Sequence, residues 1–99
     1  MNKPYLFSET AFHHEGDFDY MVKMVEKSAA ANVDGIKFQV LFDLSELLSV
    51  SNPAYEKLKD FVFSRAEWCE IFKYSIKKKL DIIVMPLDQN SFDLVEEFR

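Results

Sequence analysis

A lysine and a glutamine stand two residues apart in an otherwise apolar run, Val33-Asp34-Gly35-Ile36-Lys37-Phe38-Gln39-Val40. If the run is a β-strand, Ile36, Phe38 and Val40 share one face, and Lys37 and Gln39 share the other, roughly 7 Å apart. An ammonium among apolar neighbours is costly unless an anion or another hydrogen-bonding partner meets it. Lys37 can hold a phosphate or carboxylate as a point charge, and Gln39 can donate to the same ligand or accept from it. Two carboxylates fall at comparable places, Glu9 after an apolar run Tyr5–Ser8 and Asp88 after the run Asp81–Met85. Glu9 can orient a hydroxyl or move a proton if its surroundings tune it. The plainer alternative is a Lys37–Glu9 ion pair that fills space. Asp88 can face a ligand or cap the helix that follows it. His13 and His14 are neighbours whose side chains diverge, which suits a shared metal poorly. His14, in a turn with Glu15, is placed to contact a sugar, or else is an exposed loop residue.

The elements that would position these groups follow from period and punctuation. The first strand ends near Glu9, and a turn runs through His13-His14-Glu15-Gly16. Asp17 is the expected N-cap of a helix whose stripe is Phe18, Met21, Val22, Val25 and Ala29, closed by Asn32. Val33 to Val40 is the second strand. Leu41 to Phe63 reads as a long excursion, with Asp43 capping a turn and Asn52-Pro53 opening a short helix. Ser64-Arg65-Ala66-Glu67 has the capping-box pattern and starts a helix expected to bury Trp68, Ile71, Phe72 and Ile76. Asp81 to Met85 is the third strand, ended by Pro86. A last helix from Asn90 or Ser91 carries Phe92, Val95 and Phe98 and is still running at Arg99. Strand-then-helix repetition gives α/β architecture with parallel strands, whose carboxyl ends share one side of the sheet. Three such strands leave two open edges, which favours self-association or membership of a larger barrel.

Composition narrows the function classes. Hydrophobic residues are 48% of the chain and include ten Phe, ample for a core, while the net charge is −5. An acidic chain whose one basic cluster, Lys77-Lys78-Lys79, sits at a helix end is a poor nucleic-acid binder. One cysteine, Cys69, forms no internal disulfide and fits a reducing compartment. No run approaches the ~20 apolar residues of a membrane span, and Met1-Asn2-Lys3-Pro4 has no signal-peptide character, so the expectation is cytoplasmic. Gly16 and Gly35 are the only glycines, too few for a dinucleotide or Walker loop. There is no Cys/His metal cluster and no serine-nucleophile elbow.

The same residues carry a family resemblance. Glu9-Thr10-Ala11-Phe12-His13-His14-Glu15-Gly16 resembles the Glu-Ile-Gly-x-Asn-His-(Asn/Glu)-Gly stretch of the N-acetylneuraminate (sialic acid) synthase family. Asp34–Gln39 resembles its Ala-Val-Lys-Phe-Gln strand, Met85-Pro86-Leu87-Asp88 its Thr-Pro-Phe-Asp turn, and Phe92-Asp93-Leu94 the helix after it. The four blocks are in order, at family spacing, across residues 1–99. The resemblance implies the first three βα units of a (β/α)8 TIM barrel, without the remaining barrel or the C-terminal antifreeze-like domain. It implies an enzyme that condenses phosphoenolpyruvate with an N-acetylated hexosamine-type aldose to a nonulosonic acid. It implies a divalent metal, Mn2+ or Mg2+, whose ligands lie on later strands outside this chain. Carried over, Glu9 sits by the reacting centre, Lys37 and Gln39 face phosphoenolpyruvate, and His14 shapes the sugar site. The chain departs from the pattern at Ala11 (family Gly), His13 (Asn), Val40 (Thr) and Met85 (Thr). The rival readings are a Schiff-base aldolase built on Lys37 and an inactive fragment serving as a binding or assembly module.

Overall fold

The computed structural model describes residues 3–98; Met1, Asn2 and Arg99 lie outside them, and with them the reading of the N-terminus and of a helix running through Arg99. Strands β1 (Phe7–Glu9), β2 (Gly35–Val40) and β3 (Asp81–Pro86) alternate with helices α1 (Phe18–Ala30), α2 (Pro53–Leu58), α3 (Arg65–Lys77) and α4 (Gln89–Glu97). The expected caps hold. Asp17 accepts from Tyr20 N–H, Asn52 from Ala54 N–H with Pro53 next to it, and Ser64 forms the reciprocal box with Glu67. The excursion after β2 carries a 3-10 turn, Leu44–Glu46, capped by Asp43.

The strands form one parallel sheet in the order β1-β2-β3, with Glu9 opposite Lys37, Lys37 opposite Ile83 and Gln39 opposite Met85. Because neighbours in register face the same way, one face of the sheet carries Ile36, Phe38, Val40, Ile82 and Val84. The other carries Glu9, Lys37, Gln39, Ile83 and Met85. Helices cover the first face only. Met21 and Val25 of α1 and Trp68, Ile71 and Phe72 of α3 pack with Ile36, Phe38 and Val40 into the core. Trp68 is its centre, with ring centroids 5.3 Å from Phe63, 5.6 Å from Phe38 and 5.8 Å from Phe72. Burying each such side chain stabilises by about 1.5–3 kcal/mol relative to leaving it in water. At the amino ends, the Tyr5 hydroxyl passes over Gly35 and donates to Asp81 Oδ2 at 2.9 Å. A Cβ on Gly35 would stand 2.5 Å from that hydroxyl and 3.0 Å from the Asp81 carbonyl oxygen, so a larger residue there would push the Tyr5 side chain off this crossing.

Several expectations need correction. Helix α3 buries Trp68, Ile71, Phe72 and Ser75, an i, i+3, i+4, i+7 stripe that excludes Ile76, which is exposed. Helix α4 starts at Gln89, capped by Asp88, and turns Ser91 and Leu94 inward, leaving Phe92 and Phe98 at the surface. It ends at Glu97, where Phe98 N–H bonds to the Val95 carbonyl. The first strand begins at Phe7, not Tyr5, and the second at Gly35, because Asp34 N–H and Gly35 N–H both reach the Leu6 carbonyl as the chain enters the sheet. No helix among the described residues is long and apolar enough to cross a membrane.

The open face and the free edges set the behaviour of the isolated chain. Phe7 and Met85 lie 49% and 43% exposed on the uncovered face, and among the described residues neither β1 nor β3 has a second neighbour in the sheet. Such surfaces favour association. At micromolar concentration the purified 99-residue chain is expected to sediment as more than a monomer, or to melt without a sharp transition. A sedimenting monomer with a steep, cooperative thermal transition would overturn that expectation.

Candidate functional site

Glu9 closes β1, and Lys37 is its register partner on β2, so strand pairing alone brings the two side chains together on the uncovered face. Lys37 Nζ lies 3.2 Å from Glu9 Oε2, with the side chains 27% and 43% exposed. The other carboxylate oxygen, Oε1, accepts the Ala11 N–H at 3.0 Å. Glu9 is therefore held at both oxygens, by a cation and by a main-chain amide. Gln39 lies one pleat further along the same face, opposite Met85. Together they present a cation, an amide and a carboxylate near the carboxyl ends of parallel strands, where a small anion can be held and a proton handled.

The turn after β1 fixes this geometry. Thr10, buried at 2% exposure, sends both its N–H (3.1 Å) and its hydroxyl (2.8 Å) to the Lys37 carbonyl. Ala11 has φ +46° and Glu15 φ +50°, both in the left-handed region that costs a side-chain-bearing residue about 1 kcal/mol or more. Gly16, at φ +82°, lies against the main chain of the excursion. A Cβ there would stand 2.0 Å from the Asp60 carbonyl oxygen. The sequence reading missed Thr10 and Ala11. The signal was present at Ala11, where the resembled family has glycine.

His14 sits differently from expectation, and Asp88 takes the capping role, one of the two readings open to it. His14 is no exposed loop residue but is 2% exposed, stacked against Phe63 at 4.3 Å between centroids and edge-on to Trp68 and Phe12. Its Nδ1 accepts the Gly16 N–H at 2.9 Å, while Nε2 is buried with no hydrogen-bond partner among the described residues. Burial lowers the imidazole pKa to about 4. In this conformation the ring is enclosed in the core. Asp88 is used structurally. Its Oδ2 takes the Phe42 and Asp43 N–H groups at 2.7 Å each, and its Oδ1 takes the Ser91 N–H at 2.9 Å. Burial raises its pKa, but the hydrogen bonds from Asp43, Ser91 and Phe42 outweigh it and leave the carboxyl below its usual range. His13 is exposed. The divalent metal that the resemblance implies has no ligand set here: among the described residues no three His, Cys, Asp or Glu side chains converge.

Two outcomes follow. Ala11→Gly relieves the positive φ and is expected to leave stability unchanged or raise it by up to about 1 kcal/mol. Gly16→Ala, by contrast, should cost several kcal/mol or prevent folding, since backbone must move. Urea unfolding of both variants checks the pair. For pH, the folded chain disfavours the His14 proton, so its contribution is complete above pH 6.5. It is lost as pH falls from there to about 4, by up to about 3 kcal/mol. Asp88, with a depressed folded pKa, adds a further loss below about pH 4. Thermal midpoints measured from pH 7 to pH 4 should fall in wild type and fall less in His14→Phe; a flat wild-type profile contradicts the assignment.

No family model and no curated protein matches the chain. Solved structures do. The N-acetylneuraminic acid (sialic acid) synthetase of Leptospira borgpetersenii serovar Hardjo-bovis, solved in complex with citrate, superposes with a TM-score of 0.86 at 24% identity. The match covers 97% of this chain and 33% of that one. The spore coat polysaccharide biosynthesis protein spsE of Bacillus subtilis superposes with a TM-score of 0.69 at 18% identity, over 95% of this chain and 26% of that one. The chain thus spans a third or less of the length of these neighbours. It shares its fold with part of a sialic acid synthetase and part of a spore coat polysaccharide biosynthesis protein, the resemblance that its four motifs carry.

Proposed function

We propose that residues 1–99 are the first three βα units of a (β/α)8 synthase barrel that joins phosphoenolpyruvate to an N-acetylated aldose, giving a nonulosonic acid. The observation that supports this most is the Glu9–Lys37 pair with Gln39 beside it, on the uncovered face near the strands' carboxyl ends. The carbon nucleophile of such a condensation is C3 of phosphoenolpyruvate, so the protein's share is positioning, charge stabilisation and proton handling. In this reading the Lys37 ammonium and the Gln39 amide hold the carboxylate or phosphate of phosphoenolpyruvate. Glu9 stands by the reacting centre. The synthetase neighbour was solved in complex with citrate, a small carboxylate. Met85 fills, with a thioether, a place on that face where the resembled family has a hydroxyl donor. Phosphate is then held with one hydrogen bond fewer. A divalent metal belongs to this reading only through residues beyond these 99.

Lys37 is ion-paired through its ammonium, which has no lone pair to attack a carbonyl; this disfavours the Schiff-base aldolase. The isolated chain is expected to bind phosphoenolpyruvate weakly, in the millimolar range, through Lys37, and to release no phosphate from it with any N-acetyl-hexosamine. NMR titration should move the Lys37 and Gln39 signals in wild type, and the Gln39 signal should stay in place in Lys37→Met. No perturbation at Lys37 at any concentration would leave the fragment as an assembly module. A borohydride-trapped adduct with a carbonyl compound would instead favour the aldolase.

A further inference from the structure

We propose that His14 is a positioning residue for the Glu9–Lys37 pair: its Nδ1 is the internal peg on which the turn from Thr10 to Gly16 closes, and that closure aims the Ala11 N–H at Glu9. The proposal deepens the reading of Glu9 and Lys37 as the site and rests on it for its functional meaning.

The ring is an expensive choice for its place. It is enclosed by Phe12, Phe63 and Trp68, and it leaves the Nε2 donor buried with no acceptor among the described residues. An unsatisfied buried donor costs about 1–3 kcal/mol. A phenylalanine would fill the same aromatic slot without that cost, so packing alone gives no reason for an imidazole. What the imidazole adds is one acceptor, Nδ1, and it is used: Gly16 N–H donates to it at 2.9 Å. Because Nδ1 accepts, the ring proton of the neutral form sits on Nε2.

That bond is one end of a clamp. Asp17 N–H reaches the His14 carbonyl at 2.8 Å, Glu15 N–H reaches the Phe12 carbonyl, and Gly16 is driven against the Asp60 backbone. At the other end Thr10 is tied twice to the Lys37 carbonyl, and His13 N–H bonds back to the Thr10 carbonyl. Ala11 lies between these two anchors at φ +46°. A strained residue keeps such a conformation only where its surroundings over-determine it. Its amide, turned by that strain, is the group that holds Glu9 Oε1. Freed at His14, the turn can relax Ala11 toward ordinary φ and let Glu9 leave Lys37.

Two variants of the 99-residue chain separate this from a packing role. His14→Phe keeps an aromatic ring and removes the acceptor. His14→Asn removes the ring and keeps an acceptor oxygen that can reach the N–H two residues on, as in an Asx-turn. The readout is amide hydrogen exchange at Ala11 and Gly16, referred to core amides such as those of Phe38 and Ile71. In His14→Phe the Ala11 and Gly16 amides are expected to exchange about tenfold faster while the core amides hold, the worth of one hydrogen bond. In His14→Asn the Ala11 rate should return toward wild type even though the melting point falls. Wild-type Ala11 exchange in His14→Phe overturns the proposal, as does fast Ala11 exchange in a folded His14→Asn protein. If His14→Asn does not fold, His14→Phe decides alone. Long-range 1H–15N spectra of wild type at pH 7 should show the Nε2–H tautomer; an Nδ1–H tautomer also overturns it. None of these measurements uses phosphoenolpyruvate, so failure of the anchor and failure of the substrate reading are distinguishable.

Discussion

Lys37 and Phe38 are neighbours in the chain and face opposite environments. The Phe38 ring is locked among Trp68 and Phe72, and this fixes the pleat of β2. A slip of one residue would put Lys37 and Gln39 into the aromatic core and Phe38 onto the uncovered face, with every cost reversed in sign. Everything at the site inherits that constraint. Glu9 meets Lys37 only because β1 pairs with β2 in this register, and the turn after β1 can tie itself to the Lys37 carbonyl only from that position. The ion pair itself, partly exposed, adds little to stability. Hydrophobic packing on one face thus determines the chemistry available on the other.

Much of this was legible in the sequence. The alternation in Gly35–Val40 and the period in Phe18–Ala29 are strong patterns, and they carried the parallel βα order together with the shared side of Glu9 and Lys37. The caps at Asp17, Asn52 and Ser64 were legible because each is a local hydrogen bond decided by a few residues. The misplacements have a common physical source. Ile76, Phe92 and Phe98 are apolar and lie on helices, but a helix buries a stripe chosen by what it packs against. Ser75 and Ser91, small enough to let backbones approach, occupy the buried positions instead. Sequence period gives the existence of a stripe more readily than its phase.

His14 and Asp88 show the same limit at the site. A histidine in a polar turn reads as exposed until the excursion and Trp68 fold over it, a contact 54 residues away in sequence that no local pattern encodes. Asp88 reads equally as a ligand group or a cap, and long-range bonds from Phe42 and Asp43 decide in favour of structure. Those bonds tie the exit of β2 to the start of α4, so the carboxyl ends of β2 and β3 are braced by one carboxylate.

The close approach of Gly16 to the Asp60 backbone has an evolutionary corollary. The two positions are 44 residues apart, and their contact is made by main-chain atoms at the second of them. No substitution at residue 60 can therefore compensate a change at residue 16; only a shift in the path of the whole excursion can. Lineages descending from this sequence should keep glycine at residue 16 while the side chain at residue 60 drifts freely. A lineage that loses the glycine should show insertions or deletions between residues 41 and 63.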